Sequence, residues 1–300
     1  PYTIDLNQIP ASTRPYTLPA GAFVDPRAPY QNWLLLMSSV SEGNASYQAM
    51  KGQVEHKFSH GLSFQGSYTW AKNISDAQGS DAPVTFAGEE PYAIEIANRF
   101  DLRQDRGNVV GTPRQRLLVT GIYQLPFKTT RSGFLNAVLA GWNVSTITTI
   151  QTGQWLTPTI SPIYDQSNTD MVVRSGGGAI ARPDCVGNPI PSNQTPQDFF
   201  NINAFASTPV GAGRFGNCGL GILQGPGMID VDAGLAKQFQ FGERFHLRIE
   251  ATFTNVLNHT NFGPPATNIS NSSTFGVLQS ALPQGSGGNR TGQLALRLDF

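Results

Sequence analysis

Seven runs of about ten residues alternate apolar and polar side chains, and this pattern limits the chain to folds built from long strands. The last run, residues 292–300, places Leu294, Leu296, Leu298 and Phe300 on one face. Gln293, Ala295, Arg297 and Asp299 lie on the other face. The other runs are residues 50–58, 62–71, 114–127, 142–151, 229–239 and 244–257. Three runs are less regular. Lys237 falls on an otherwise apolar face, the second face of 114–127 mixes apolar and polar residues, and the pattern of 142–151 does not say which face is which. The sequence therefore predicts an all-β chain.

The connections between these runs alternate in length. Short links follow Phe58 and Phe239, and a moderate link follows Phe127. Long links cover roughly residues 72–112, 151–227 and 258–288. Short turns at one end and long loops at the other are typical of an outer-membrane barrel. This layout also collects Phe58, Phe127, Phe239 and Phe300 at the short-turn rim, where an aromatic girdle lies in such barrels.

Composition narrows the class of protein further. Only 13% of residues are charged, against about a quarter in an average soluble protein, and the chain has 32 Gly and 21 Pro. Twenty basic and twenty acidic residues cancel, so no net charge draws the chain to nucleic acid. The densest apolar run is WLLLM at 33–37, which is too short for a membrane helix. The chain begins at Pro1, so we expect any export signal to lie upstream.

Several segments resemble a known family. They are NASYQAMKGQVEHKFSHGLSFQGSYTWAKNISDA, RQRLLVTGIYQLPF, GWNVSTITTIQTGQWLTPT, ERFHLRIEATFTNVLNHTNFG and the closing LALRLDF. In this order they resemble the C-terminal barrel of TonB-dependent outer-membrane receptors, in the group with a carboxypeptidase-regulatory-like N-terminal domain. The resemblance implies an antiparallel transmembrane β-barrel segment, about 7–8 strands of a 22-stranded barrel. Residues 1–300 would form the C-terminal part of one barrel domain, with the plug and the N-terminal domain absent from this chain.

The resemblance also implies a function. The chain would belong to an active-transport receptor of the bacterial outer membrane, not an enzyme, and would need no cofactor. Its partners would be outer-membrane lipid, the barrel assembly machinery, TonB through the missing N-terminal part, and an unknown small ligand. Leu294, Leu296, Leu298 and Phe300 would form the C-terminal assembly signal. Two alternatives stay open: a surface or adhesion barrel without transport, and a soluble secreted β-sandwich.

Cys185 and Cys218 lie in the longest loop. Because exported loops meet an oxidising compartment, we predict a disulfide between them, which would contribute about 3–4 kcal/mol by chain entropy. Two unpaired thiols and a metal or redox site are the alternatives. No CxxC motif is present.

Other motifs have weak functional interpretations. Gly211, Gly213 and Gly216 match GxGxxG, but the motif lies in a Gly-rich loop before a strand, which favours simple flexibility over dinucleotide binding. Asp165, Asn168 and Asp170 could bind calcium, although a solvated turn is the simpler interpretation. The four histidines lack metal-ligand spacing, and a polar lumen position explains His246 best. They are His56, His60, His246 and His259.

A stretch of mixed charge follows the run at 62–71. We interpret it as solvent-exposed surface in preference to a ligand contact. Its members are Glu89, Glu90, Glu95, Asp101, Arg103, Asp105 and Arg106. Asn-x-Ser/Thr triplets, such as those at Asn44 and Asn271, reflect composition in a bacterial protein. No catalytic Ser/His/Asp order or carboxylate pair stands out, and no strand-turn-helix elbow presents a nucleophile.

Overall fold

A computed structural model describes residues 2–76, 96–127, 138–174, 179–241, 244–284 and 286–300. Seven long strands dominate it: β3 (Ala45–Ser59), β4 (Leu62–Ser75), β6 (Gln115–Gln124), β7 (Trp142–Gln151), β12 (Met228–Phe241), β13 (Phe245–Thr254) and β14 (Thr291–Asp299). The short strands are β1 (Tyr2–Asp5), β2 (Met37–Val40), β5 (Gly107–Asn108), β8 (Trp155–Leu156), β9 (Asp184–Cys185), β10 (Phe205–Ala206) and β11 (Leu223–Gln224). The described helices are α1 (Met171–Arg174) and 3-10 turns at Leu102–Asp105, Pro162–Tyr164 and Ile202–Ala204.

The seven long strands form one antiparallel sheet in the order β14-β13-β12-β7-β6-β4-β3, with β5 paired to β4. Every run predicted from alternation is therefore a strand, and the predicted meander is confirmed. The main difference is length, since β3 begins five residues before the predicted run. Among the described residues the sheet is open, with β3 and β14 at its edges. No helix in the described part of the chain is long and apolar enough to cross a membrane.

The strand register brings the apolar residues of all these strands onto one face. One row across the sheet pairs Leu62 with Tyr123, Tyr123 with Val144, Val144 with Leu235, Leu235 with Ala251 and Ala251 with Leu294. The register also assigns the side chains of β7 to the two faces of the sheet, which the sequence pattern of β7 alone does not. Val144 and Ile150 lie on the apolar face, while Asn143 and Gln151 lie on the polar face.

Within the described residues, no protein packs over most of the apolar face. Leu294 is 80% exposed and Leu296 is 71% exposed, and Val54 and Met50 are also exposed. Such a surface on a soluble protein would cause aggregation, whereas lipid chains cover it in a membrane barrel. At one end of the face lie three of the four predicted rim residues, Phe58, Phe127 and Phe300, all largely exposed. The fourth, Phe239, is partly buried, with the Lys237 ammonium group over its ring.

The turn between β3 and β4 shows why this end of the sheet is tight. Ser59 pairs with Leu62, which leaves a two-residue loop of His60 and Gly61. Both residues have positive φ, 53° and 84°, as the type I′ hairpin demands. A Cβ at Gly61 would lie 2.9 Å from the Gln124 carbonyl oxygen, so glycine is required for space as well as for conformation.

Lys237 interrupts the apolar face, and the structure accounts for it. Its ammonium group donates hydrogen bonds to the carbonyl oxygens of Val138 (2.7 Å) and Ala140 (2.5 Å). The same group lies over the rings of Trp142 and Phe239, at 5.1 and 4.9 Å from their centroids. The charge is thus covered by the β6–β7 connection and two aromatic rings, which allows a lysine on this face.

The loops at the other end of the sheet fold into a unit that we call the loop cap, formed by the described parts of residues 2–44, 96–114, 152–227 and 255–290. It has three apolar clusters. The largest contains Leu156, Phe200, Ala204, Phe205, Cys218, Leu223 and Phe275. The second contains Ala97, Ile160, Met171, Ala179, Ala181 and Phe215, and the third contains Ile9, Val24 and Ala28. None of these residues belongs to the seven long strands.

Contacts distant in sequence hold the loops of the cap to each other. The Gln8 side chain donates a hydrogen bond to the Ala97 carbonyl oxygen (2.8 Å) and accepts one from the Arg99 amide (2.9 Å). Asn168 donates to the Ser12 carbonyl oxygen (2.8 Å), although the two residues are 156 positions apart. These buried hydrogen bonds fix the N-terminal segment against the loops that follow β4 and β7.

Candidate functional site

A pocket of about 440 Å³ lies where the polar face of the sheet meets the loop cap. Its floor is formed by the ends of β6, β7 and β12 that lie nearest the cap. Cap residues close its sides, among them Pro113, Gln154, Phe262 and Leu282. A concave site with a few converging polar groups is the usual form of a small-ligand site.

Strand register sets the positions of the polar groups on the floor. Arg116 lies opposite Gln151, and Gln151 lies opposite Met228, which forms one row across three strands. The next row on the same face contains Thr149 and Asp230, which are also direct partners. Because side chains two apart on a strand share a face, Asp230 and Asp232 both point to the pocket side.

The two ends of this floor carry opposite charges that do not neutralise each other. Oδ1 of Asp230 is buried and has no hydrogen-bond partner in the described residues. Oδ1 of Asp232 accepts a hydrogen bond from the Asn255 amide (3.0 Å). Within the described part of the chain, the Arg116 guanidinium forms no ion pair with either carboxylate. The pocket therefore has an acidic end on β12 and a basic end on β6.

The walls of the pocket are held by asparagine side chains. Asn261 accepts from the Ile229 amide (2.8 Å) and donates to the carbonyl oxygens of Ile229 (2.8 Å) and Gly287 (2.7 Å). Asn255 donates to the carbonyl oxygens of His259 and Gly288, both at 2.7 Å. These bonds tie the loop after β13 and the segment before β14 to β12, so the walls are fixed to the strand that carries the carboxylates.

A second group of charges is buried inside the cap around Arg174, which is fully buried. Its guanidinium donates to the carbonyl oxygens of Ile96 (2.6 Å) and Ala97 (3.1 Å). It also lies 4.0 Å from an Asp5 oxygen and 3.9 Å from an Asp170 oxygen. Burial raises the pKa of Asp170 to about 7, with Arg174 opposing this rise and Asp5 adding to it. The cluster joins the N-terminal segment to two loops.

The buried charges of the cap correct two sequence interpretations. The DQSNTD segment is not a solvated turn, because Ser167 and Asp170 are buried. Asp105 is not solvent-exposed either. It is buried and forms an ion pair with Arg182, with Nη2 of Arg182 2.5 Å from Oδ1 of Asp105. Burial raises the pKa of Asp105 although Arg182 lowers it. Of the same predicted charge patch, Glu89, Glu90 and Glu95 lie outside the described residues.

The structure joins Cys185 and Cys218 by a disulfide, with Cα atoms 5.1 Å apart. Beside it, Arg214 forms two hydrogen bonds with the Asp184 carboxylate, at 2.8 and 2.7 Å. This guanidinium, together with the Asn217 amide, holds the pKa of Asp184 below its usual range. The disulfide and the ion pair close the same part of the cap, next to the largest apolar cluster.

The remaining candidates do not converge on the pocket. Gly211, Gly213 and Gly216 lie in irregular loop, and a Cβ at Gly213 would collide with the backbone of Ser12 and Thr13. His56 stacks on Phe64 on the apolar face, and His60 lies in the β3–β4 turn. His246 lies on the polar face of β13, and the His259 amide donates to Asn255. Among the described residues, no group of three or more potential ligands could hold a metal ion.

Sequence reasoning missed the pocket itself. Alternation within each run places Arg116, Asp230 and Asp232 on polar strand faces. The pairing of β12 with β7, which brings them together, joins strands about 80 residues apart. A usable signal was present, since all three residues lie at the long-loop ends of their strands. Such positions lie beneath extracellular loops in an outer-membrane barrel.

A two-faced antiparallel sheet with short turns at one end and long loops at the other defines the wall of an outer-membrane barrel. The comparison with protein families agrees: the profile described as outer membrane beta barrel domain matches residues 1–293, and the chain belongs to this family. A search of curated proteins found no match. The protein is located in the bacterial outer membrane, which argues against a soluble β-sandwich.

Proposed function

We propose that this chain supplies wall strands and extracellular loops to an outer-membrane receptor that takes up a ligand with energy from TonB. The observation that carries the proposal is the pocket of about 440 Å³ between the loop cap and the polar face of the sheet. In a closed barrel this face lines the lumen. A ligand held there would lie at the outer mouth of the transport path.

The cohesion of the loop cap supports the same role. A receptor must keep its binding groups in place before the ligand arrives, and fixed positions lower the entropy cost of binding. Here buried side chains such as Arg174 and Asn261 join segments from different loops. A cap whose only role is to shield the barrel would not need this set of buried polar contacts.

The proposal assigns the remaining parts to polypeptide outside this chain. Residues 1–300 would be the C-terminal part of the barrel domain, and the plug and the contact with TonB would lie elsewhere in the protein. Lipid would cover the apolar face, and the assembly machinery would recognise the strand end with Leu294, Leu296, Leu298 and Phe300. The proposed role is transport without catalysis.

The test compares three isogenic strains of the source bacterium: wild type, a deletion of this gene and a deletion of tonB. Growth is measured with iron chelates, cobalamin, oligosaccharides or peptides as the only source of the nutrient concerned. We expect the two deletions to slow growth on at least one shared nutrient class. Reintroduction of the full-length gene should restore growth only in the strain with intact tonB.

The main rival is a surface barrel used for adhesion. In that case deletion of the gene would reduce attachment to surfaces, deletion of tonB would leave attachment unchanged, and growth on every nutrient would be equal in all three strains. That result would refute the transport proposal while leaving the family membership intact.

A further inference from the structure

We infer that the pocket under the loop cap binds a short zwitterionic peptide, with its ammonium group at Asp230 and its carboxylate at Arg116. This inference rests on the proposed function, because it names the ligand class of the same site. It depends on three observations: the shape of the pocket, its separated opposite charges and its neutral polar floor.

The acidic end presents two half-buried carboxylates as hydrogen-bond acceptors for a ligand. Oδ1 of Asp230 is buried without a partner among the described residues, and Asp232 is the next residue on the same face of β12. A buried carboxylate oxygen without a partner is costly, and a second negative charge beside it adds repulsion. An ammonium group, with three donors and a positive charge, satisfies both carboxylates at once.

The basic end has the complementary property. The Arg116 side chain is exposed at the pocket and has no ion-pair partner in the described residues. A guanidinium group matches a carboxylate through two parallel hydrogen bonds. Because Arg116 does not pair with the carboxylates on β12, its donors remain available for a ligand that carries its own carboxylate.

The distance between the two ends selects a short peptide. Arg116 and Asp230 are two strands and one same-face step apart, which corresponds to about 12 Å between their Cα atoms. Both side chains project from one face, and an extended peptide covers about 3.4 Å per residue. Two or three residues cover about 7–10 Å, and hydrogen bonds of about 2.8 Å at the two ends close the remaining gap. Thr149 and Gln151 lie between the charged ends and can hydrogen-bond the peptide groups.

The experiment measures binding of trialanine by calorimetry to the full-length protein in detergent or nanodiscs. N-acetyl-trialanine and trialanine amide are the matched probes, since each lacks one terminal charge. We expect either modification to weaken binding about tenfold or more, because each removes a charge-assisted hydrogen bond in a partly dry site.

Two variants connect each terminus to its residue. Asp230→Asn should weaken binding of trialanine but leave the affinity for N-acetyl-trialanine unchanged. Arg116→Gln should also weaken binding of trialanine but leave the affinity for trialanine amide unchanged. Glu250→Gln and Arg248→Gln serve as controls, because these residues form an ion pair with each other at 2.9 Å on the same polar face, outside the pocket. The controls should bind all three probes as the wild type does.

Failure of the inference and failure of the proposed function give different results. Absence of trialanine binding, or equal binding of all three probes, overturns the peptide inference, while growth on another nutrient that depends on TonB still supports transport. The protein could instead bind the peptides with the predicted selectivity while deletion of its gene reproduces no growth defect of the tonB deletion. That result supports the site and refutes transport.

Discussion

The loop cap and the long-stranded sheet place their apolar side chains in opposite environments. In the cap, Phe200 is 1% exposed and Leu223 is 0% exposed, and they pack against other protein side chains. On the sheet, Leu294 and Leu296 are mostly exposed. Transfer out of water stabilises both sets of apolar side chains. Other protein side chains surround those of the cap, whereas lipid chains surround those of the sheet.

This difference means that the two regions respond to different physical variables. The cap has packed cores, a disulfide and buried ion pairs, as a small extracellular domain does. The sheet has backbone hydrogen bonds between strands and an apolar surface that only lipid can cover. Substitutions of the same kind should therefore have unequal effects in the two regions.

The largest effect is expected for Phe200→Ala in the cap. Phe200 contacts Phe199 and Phe275, with ring centroids at 5.1 and 6.5 Å, and its loss leaves a cavity in the largest cluster. The cost should be about 3–5 kcal/mol. Amide hydrogen exchange of residues 184–206 in the full-length protein should accelerate by roughly two to four orders of magnitude.

Phe58→Ala is the matched control on the sheet. Phe58 is largely exposed at the rim, so its removal leaves no cavity between protein side chains. Exchange in the cap should stay at the wild-type rate. Equal acceleration by both substitutions would contradict the separation of the two regions.

The second effect concerns the lipid face. Leu294→Arg places a charge among lipid chains and should cost about 2–4 kcal/mol, which reduces the fraction of protein that is inserted and heat-modifiable on gels. Ala295→Arg is the control, because Ala295 lies on the polar face and pairs with Glu250. Near-normal insertion of both variants would show that the assigned faces are wrong.

A smaller effect is expected at the end of the chain. Phe300 follows β14 and is 92% exposed, so its side chain has little packing within the protein. If the assembly machinery recognises this ring, Phe300→Ala should slow insertion into the membrane, as measured by heat-modifiable migration over time. Phe127→Ala, at another exposed position of the same rim, should insert at the wild-type rate. Equal rates for both variants would remove the recognition role.

The sheet could be predicted from the sequence because its rule is local. Alternation over ten residues defines a strand and its two faces without knowledge of the neighbouring strand. Residues 142–151 mark the limit of this rule. Their β-branched residues predicted a strand with the correct bounds, but only pairing with β6 and β12 assigned Val144 and Asn143 to their faces.

The cap could not be predicted, because its contacts join residues far apart in sequence. No residue near Arg174 in the sequence indicates that it donates to the carbonyl oxygens of Ile96 and Ala97. The sequence of residues 165–170 by itself favours a solvated turn. The pocket depends both on the local alternation of side chains and on contacts between strands far apart in sequence. Alternation assigned Arg116 and Asp230 to polar faces, and the order of strands in the sheet brought them together.

The last prediction is a pH dependence confined to the cap. The pKa of Asp170 is raised by burial to about 7 in the folded cap and returns to its ordinary value of 3.8 on unfolding. Between these values the folded cap binds a proton that the unfolded cap releases, so its free energy of unfolding falls as pH rises from about 4 to about 7. One such proton contributes at most about 1.4 kcal/mol per pH unit.

Amide hydrogen exchange of residues 96–105 and 167–174, corrected for the intrinsic rate at each pH, measures this dependence in the full-length protein. Asp170→Asn cannot titrate, so its slope between pH 5 and pH 8 should be smaller than that of the wild type. Asp184→Asn is the control, because Arg214 lowers the pKa of Asp184 and that group titrates below this range. Exchange in β12 and β13 should show a much smaller slope in every variant, since the Arg174 partners named above lie on the N-terminal segment and on loops outside these strands. An unchanged slope in Asp170→Asn would mean that the cap owes its pH response to other carboxylates, such as Asp105.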